Sequence, residues 1–242
     1  NRLDNTQMAV KILLNSLYGA LGNQYFRYFE LRIAEGITLS GQLSIKWAEK
    51  AMNEYLNKML KTDDDYVIAI DTDSLYVDMN PLVKAVNPKD PVSFIDKACE
   101  EKIVPMLAKS YEKMNDRLNG FENRMVMARE AIADKGIWTA KKRYILNVYN
   151  NEGVQYAEPK LKVMGIEAVK SSTPQIVRDK FKKAYSIMLN STEADLQKFV
   201  ADFYEEFKSL PPEDVSFPRG VSDIEKWKDK YTVYKKGTPI HV

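Results

Sequence analysis

The sequence predicts an α+β fold in which an antiparallel sheet is flanked by helices. Two observations carry this prediction. Apolar residues recur at helical spacing in residues 6–21 and 36–60 and again after Pro174, whereas the strand-like segments between them follow one another through short turns. Strands joined by tight turns pair antiparallel, and separate runs of helices and strands are typical of α+β domains.

The helical segments are recognised by apolar spacing and by their start signals. Pro105 interrupts one of them, so a kink or two separate pieces are expected there. Pro174 is suited to a first helical position, and Thr192 with Asp195 three residues later reads as a helix cap. The predicted helices cover residues 6–21, 36–60, 91–118, 174–190 and 192–208.

The strand-like segments form two hairpin systems. The first has a turn at residues 71–74, and the second has a strong turn signal at residues 150–153. The predicted strands cover residues 66–70 and 75–79, and then 123–133, 137–149 and 154–164.

Composition excludes several classes of chemistry. The 242 residues are 45% hydrophobic and carry a net charge of only +2, so nucleic-acid binding would need a local basic patch. Cys99 is the single cysteine and His241 the single histidine, which leaves no thiolate zinc site and no histidine-based catalytic triad. A metal would therefore be held by carboxylates, and no apolar run is long enough to span a membrane. The first residue is Asn1 rather than Met, and we expect both ends to be cuts through a longer protein.

The first chemical signal is an acidic hairpin tip, Asp71-Thr72-Asp73-Ser74. In an extended segment Asp71 and Asp73 point to the same side, where two carboxylates repel each other unless a cation lies between them. A solvated acidic turn is the plain alternative. A DxD phosphohydrolase is another, but Leu75 resumes a strand at once where that class leads through a loop toward a helix.

The second signal is a polar stripe on the first helix. Lys11, Asn15 and Tyr18 are spaced by four and three residues, so they share one helical face. A cation, an amide and an aromatic ring suit a triphosphate, a sugar and a base. An ordinary solvated helix face is the alternative.

The third signal is a basic segment, Lys141-Lys142-Arg143-Tyr144. Read as a strand, it places Lys142 and Tyr144 on one face and Lys141 and Arg143 on the other. Such a strand suits phosphates and the edge of a groove, although basic residues on edge strands also prevent aggregation.

These three motifs, in this order, resemble those of the family B DNA polymerases. Lys-x-x-x-Asn-Ser-x-Tyr-Gly at residues 11–19 is similar to the fingers motif, Asp71–Ser74 matches the DTDS hairpin, and residues 141–144 match the KKRY motif. The stretch Arg129-Glu130-Ala131-Ile132-Ala133 and the passage from Glu158 to Pro174 are similar to the T-even-type bacteriophage members. The resemblance covers nearly all of residues 5–175.

The resemblance implies a DNA-directed DNA polymerase, a nucleotidyltransferase that works with two Mg²⁺ ions or with Mn²⁺. The implied organisation is the end of the fingers at residues 1–32, the palm at 33–170 and the start of a truncated thumb at 171–242. Lys11, Asn15 and Tyr18 would bind the nucleotide, Lys11 acting also on the pyrophosphate. Asp71, Asp73 and Glu130 would hold the metal. The implied DNA-binding residues are Lys141, Lys142, Arg143, Tyr144, Gly165, Lys170, Ser171 and Ser172.

The implied partners are primer-template DNA, deoxynucleoside triphosphates and the remaining polymerase segments, with a sliding clamp as a further candidate. The implied location is the cytoplasm of an infected bacterial host. Ile70 departs from the family pattern just before DTDS. The earlier palm motif Asp-x-x-Ser-Leu-Tyr-Pro and the exonuclease motifs are absent from these residues, so we expect the chain alone to be inactive. A non-catalytic DNA-binding fragment is the alternative function.

Overall fold

A computed structural model describes residues 2–220 of the chain. The chain divides into two compact units, Asn1–Arg129 and Glu130–Val242. The first unit combines helices with a two-stranded sheet, and the second combines a three-stranded antiparallel sheet with helices. This arrangement confirms the predicted α+β class. None of the helices within residues 2–220 is long and apolar enough to cross a membrane.

The first unit is built on two long helices and a short hairpin. Helix α2 begins earlier than predicted because the Glu30 side chain accepts a hydrogen bond from the Arg32 amide and caps its first turn. The elements are α1 (Arg2–Leu21), α2 (Leu31–Leu60), β1 (Val67–Asp71), β2 (Ser74–Val77), α3 (Asn80–Val86), α4 (Pro91–Ala98), a π-helical turn (Cys99–Ile103) and α5 (Val104–Arg117).

The helical stretch predicted for residues 91–118 is interrupted, as Pro105 indicated. The helical stretch does not end there, because the π-helical turn runs directly into α5 and Pro105 follows it in the first turn of α5. The core beneath the hairpin joins buried residues of α2, β1 and α5, among them Leu56, Val67 and Tyr111.

The second unit is a meander of three strands followed by helices. Strand β3 begins at Ala131, so the strand predicted from residue 123 was wrong at its start, and residues 121–130 have no regular structure. The strand predicted at 137–149 is also wrong in part, because the chain turns at Lys141 and Lys142. The elements are β3 (Ala131–Ala140), β4 (Arg143–Asn151), β5 (Val154–Met164), a 3₁₀ turn (Glu167–Val169), α6 (Gln175–Asn190), α7 (Glu193–Ser209) and α8 (Pro212–Val215).

Strand β4 lies between β3 and β5 and is the buried centre of this sheet. Its residue Ile145 packs with Ile166 and with Leu189 of α6. The predicted cap of α7 is confirmed, since Thr192 and Asp195 exchange the two hydrogen bonds of a capping box. Pro174, by contrast, precedes α6 as its cap residue and makes no side-chain cap hydrogen bond.

Candidate active site and nucleic-acid interface

The acidic tip is a two-residue turn. Asp71 ends β1 and pairs with Ser74 at the start of β2, which leaves Thr72 and Asp73 in the turn. Thr72 has φ 55°, a left-handed conformation that is unfavourable for a β-branched residue. The extended geometry expected from Asp71 to Asp73 is therefore wrong. The turn brings the two residues together instead, with the Asp73 amide donating to the Asp71 carbonyl at 2.6 Å.

Both carboxylates face small hydroxyl donors rather than cations. Asp71 Oδ1 accepts from the Thr72 hydroxyl at 3.2 Å, and Asp73 Oδ1 lies 3.5 Å from the Ser74 hydroxyl. No ion pair within residues 2–220 involves either aspartate. The tip is thus a concentration of uncompensated negative charge next to solvent.

The base of this hairpin is fixed by α2. Asn53 accepts a hydrogen bond from the Tyr66 amide at 2.9 Å and donates to Asp65 at 2.7 Å. Tyr66 and Val67 are buried in the core of the unit. A rigid base and an exposed tip give the two carboxylates a defined position without burying them.

The polar stripe of α1 forms as predicted. Lys11, Asn15 and Tyr18 lie on one continuous helix, at spacings that place them on one face. All three side chains are exposed, and no residue of α1 is buried. The stripe is therefore open to a ligand from solvent.

The basic segment forms the turn between β3 and β4. Lys141 and Lys142 are the turn residues, and Lys142 has φ 62°. The strand alternation expected for residues 141–144 is therefore wrong, because a turn does not alternate faces. Both lysines are exposed at the tip.

Gly165 lies against this turn. A Cβ atom at residue 165 would collide with the carbonyl oxygen of Lys142, and Gly165 has φ 66°. Only glycine meets both conditions without strain. Its close backbone approach is thus made to Lys142 of the same chain.

Two of the other predicted DNA contacts converge on one carboxylate. Arg143 donates to Glu167 at 2.5 Å, and Lys170 donates to its other oxygen at 3.1 Å. The Glu167 backbone amide and the Lys170 side chain, through hydrogen bonds to the carboxylate, hold the pKa of Glu167 below its usual value. Glu167 therefore stays charged and fixes both cations beside the 3₁₀ turn.

Tyr144 differs from its basic neighbours because it is buried. It is 6% exposed, and its ring centroid lies 6.3 Å from that of Trp138 on the paired strand. Ser171 and Ser172 are exposed in the turn before α6. They line an open cavity of about 410 Å³ together with Pro218, Arg219 and Gly220.

The comparisons with known proteins agree with this set of features. The family model of DNA polymerase family B matches residues 1–215. The chain belongs to DNA polymerase family B. The "DNA-directed DNA polymerase" of Enterobacteria phage T4 is 40% identical over 94% of this chain and 27% of its own length. That of Escherichia phage RB69 is 41% identical over 91% of this chain and 26% of its own length.

A more distant relative is "DNA polymerase 1" of Aeropyrum pernix, which is 25% identical over 99% of this chain and 21% of its own length. The family B resemblance predicted from the motifs is thus confirmed. The chain spans about a quarter of the length of the curated relatives it matches.

Two carboxylates of this family B chain fit a divalent cation in their chemistry. The oxygen atoms of Asp71 and Asp73 are the hard donors that Mg²⁺ prefers. Within the described part of the chain, no group of three or more histidine, cysteine, aspartate or glutamate side chains is placed to hold a metal. Glu130, the third predicted ligand, belongs to the second unit and accepts from Lys162 at 2.5 Å.

The sequence did not identify Glu167 as the residue that binds Arg143 and Lys170. Glu167 is the last residue of Gly165-Ile166-Glu167, within a stretch rich in lysine. An isolated acidic residue among basic ones is a signal that it pairs with them. The DxD phosphohydrolase alternative loses support, since the acidic turn is followed at once by strand β2, which begins at Ser74, and not by a loop that leads to a helix.

Proposed function

We propose that this chain is part of the catalytic core of a DNA-directed DNA polymerase. Together with the remaining segments of the enzyme, it extends a primer by two-metal phosphoryl transfer. The acidic hairpin tip carries this proposal. Asp71 and Asp73 stand there with no cationic partner among residues 2–220, in a chain that belongs to family B.

In this proposal Asp71 and Asp73 hold the divalent cations, Mg²⁺ or alternatively Mn²⁺, with further ligands from other polymerase segments. When bound, such ions lower the pKa of the primer 3′-hydroxyl and neutralise charge on the triphosphate. Lys11 neutralises the departing pyrophosphate. Asn15 and Tyr18 lie along the nascent base pair, four and seven residues further on the same helix face.

The primer-template is held by the second unit. Lys141 and Lys142 present two cations at a turn whose shape Gly165 makes possible, and both reach solvent. Ser171, Ser172 and Lys170 bind a phosphate ahead of α6. Arg143 approaches DNA while Glu167 orients it, and Tyr144 supports the turn from within the sheet.

The proposed domain organisation follows the family. Residues 1–32 are the end of the fingers, 33–170 the palm and 171–242 the start of the thumb. The last of these ranges extends past the described residues at 220. The partners are DNA, deoxynucleoside triphosphates, the other polymerase segments and a sliding clamp, and the setting is an infected bacterial cell.

Primer extension by complementation tests the proposal. This chain is mixed with a polypeptide that carries the remaining segments of a T-even-type polymerase, and incorporation is followed on a labelled primer-template. We expect extension by the mixture and none by either polypeptide alone, since the palm motif Asp-x-x-Ser-Leu-Tyr-Pro, which is absent from these residues, would supply a further metal ligand. DNA binding without extension by a folded, stable complex would contradict catalysis and favour the non-catalytic DNA-binding alternative.

A further inference from the structure

The polymerase proposal places phosphate contacts on two different elements of the second unit, and the strongest unexplained feature of that unit is a polar cluster that joins the sheet to the last residues of α6. One contact element is the Lys141–Lys142 turn of the sheet, and the other is the Ser171–Ser172 segment before α6. The Ser171–Ser172 segment leads directly into α6, so the position of this segment depends in part on how α6 is seated on the sheet. The inference below therefore rests on the proposed function.

The cluster begins with an irregularity in β3. Ala133 pairs with Val148 and Lys135 pairs with Asn147, so Asp134 is an extra residue in the ladder. An extra residue of this kind is a β-bulge, which redirects a side chain at a chosen point of a strand. Here Asp134 Oδ1 accepts a hydrogen bond from Asn147 of β4 at 2.8 Å.

Asn147 is a polar residue in the buried central strand. It is 3% exposed, and it shares a sheet face with Ile145, which packs against Leu189 of α6. Its Nδ2 also donates to Oδ1 of Asn190, the last residue of α6, at 3.4 Å. Asn190 in turn is held by donating to the Ser186 carbonyl of its own helix at 3.1 Å.

A second hydrogen bond binds the same end of α6. Lys135, the neighbour of Asn147 in the register, donates from Nζ to the Leu189 carbonyl at 2.8 Å. Helix α6 has no basic residue in its own last turn. Lys135 supplies the positive charge that a helix C-terminus favours, and it does so from the sheet.

We infer that Asp134, Lys135, Asn147 and Asn190 form a polar latch that fixes the seat of α6 on the sheet, and that the latch thereby sets the spacing of the two DNA-contacting elements. Apolar packing of Ile145 and Leu189 is not directional and tolerates sliding of a helix. Hydrogen bonds from a buried amide are directional, and their loss leaves polar groups unsatisfied. The four residues are positioning residues, because none of them is placed against DNA in the proposal.

The chain offers a matched control. Asn150 also lies in β4, is 1% exposed and accepts from the Gly153 amide at 3.1 Å, a hydrogen bond within the β4–β5 turn. Asn147→Leu and Asn150→Leu each remove one buried amide from the same strand at similar volume. Asn190→Ala is a milder second variant, since it removes the acceptor from an exposed helix end.

The first measurement is a distance distribution between spin labels on Glu158→Cys in β5 and Lys182→Cys in α6, in the full chain without DNA. Cys99 stays unlabelled at neutral pH because it is buried and its thiol pKa is raised to about 11. We expect Asn147→Leu and Asn190→Ala to broaden or shift the distribution and Asn150→Leu to leave it unchanged. An unchanged distribution in Asn147→Leu and Asn190→Ala would overturn the latch, whatever the DNA results.

The second measurement is primer-template affinity over a range of salt. We expect Asn147→Leu to weaken binding by about tenfold and to lower the salt slope by about 1, as the loss of one phosphate contact does. Asn150→Leu should lower the melting temperature without changing the slope. Equal salt slopes for wild type and Asn147→Leu would overturn the DNA role of the latch. A wild-type chain that binds no DNA would instead overturn the proposed function. In that case the spin-label distances alone would test the latch.

Discussion

The two hairpin tips of this chain resemble each other in backbone and differ in what supports them. Each has a two-residue turn with a non-glycine residue in the left-handed region, Thr72 with φ 55° and Lys142 with φ 62°. The acidic tip lies at the end of a two-stranded sheet, and the residues of its strand β2 are all half-buried. The basic tip lies at the end of a three-stranded sheet whose central strand β4 is buried, and it packs against Gly165.

The difference separates two kinds of charged site. The basic tip is shaped by contacts within residues 130–220, including Gly165 and the pairing of Arg143 with Glu167. The acidic tip gathers two carboxylates, and a Mg²⁺ ion held there takes its remaining ligands from waters and substrate phosphates. We therefore expect changes at the acidic tip to act on catalysis in the complemented enzyme, and changes at the basic tip to act on folding and DNA binding in this chain.

The largest expected effect is loss of catalysis at the acidic tip. Asp73→Asn keeps the shape of the side chain but removes the charge that holds a divalent cation, so incorporation by the complemented enzyme should fall below detection. Primer-template binding should be unchanged, as measured by fluorescence anisotropy. Asp63→Asn, an exposed aspartate before β1, is the control and should retain activity. Sustained incorporation by Asp73→Asn would remove Asp73 from the metal site.

The next effect is structural and concerns the basic tip. Gly165→Ala should lower the free energy of unfolding by about 2–3 kcal/mol, because a left-handed φ is combined with a collision against the Lys142 carbonyl. Gly153→Ala has a left-handed φ of 86° but open space around it, so its cost should be about 1 kcal/mol. Urea unfolding measures both. Equal losses of unfolding free energy in the two variants would show that the collision with Lys142 adds nothing to the cost of Gly165→Ala.

A pH effect should appear in the core beneath the acidic hairpin. Burial raises the pKa of the Cys99 thiol to about 11. The pKa of the thiol in the folded chain lies above its value of about 8.5 in the unfolded chain. The stability that burial of the neutral thiol contributes is therefore complete below pH 8.5 and is lost as the pH rises toward 11. Between pH 8 and pH 10.5, wild type should lose about 2 kcal/mol more stability than Cys99→Ala. Parallel pH profiles for the two proteins would contradict this.

The smallest expected effect tests whether the basic tip contacts DNA. Lys142→Gln removes one exposed cation, so it should lower the slope of log affinity against log salt by about 1 with little change in stability. Lys113→Gln, an exposed lysine of α5 in the first unit, is the matched control and should leave the slope unchanged. A similar slope change in both variants would indicate a nonspecific charge effect.

The sequence alone determined the features that depend on neighbours along the chain. The α1 stripe, the acidic hairpin and the capping box of Thr192 and Asp195 follow from spacing and local hydrogen bonds. The family also followed from short motifs in order, and the match over residues 1–215 confirmed it.

Only the tertiary structure decided the features that join residues far apart in sequence. Glu167 holds Arg143, Gly165 accommodates Lys142, and the bulge at Asp134 meets Asn147 and α6. The basic segment became a turn because its pairing register is set by all three strands of the sheet and by the glycine that packs on it. Local propensity cannot report such contacts, since their free energy arises only when the strands and helices have come together.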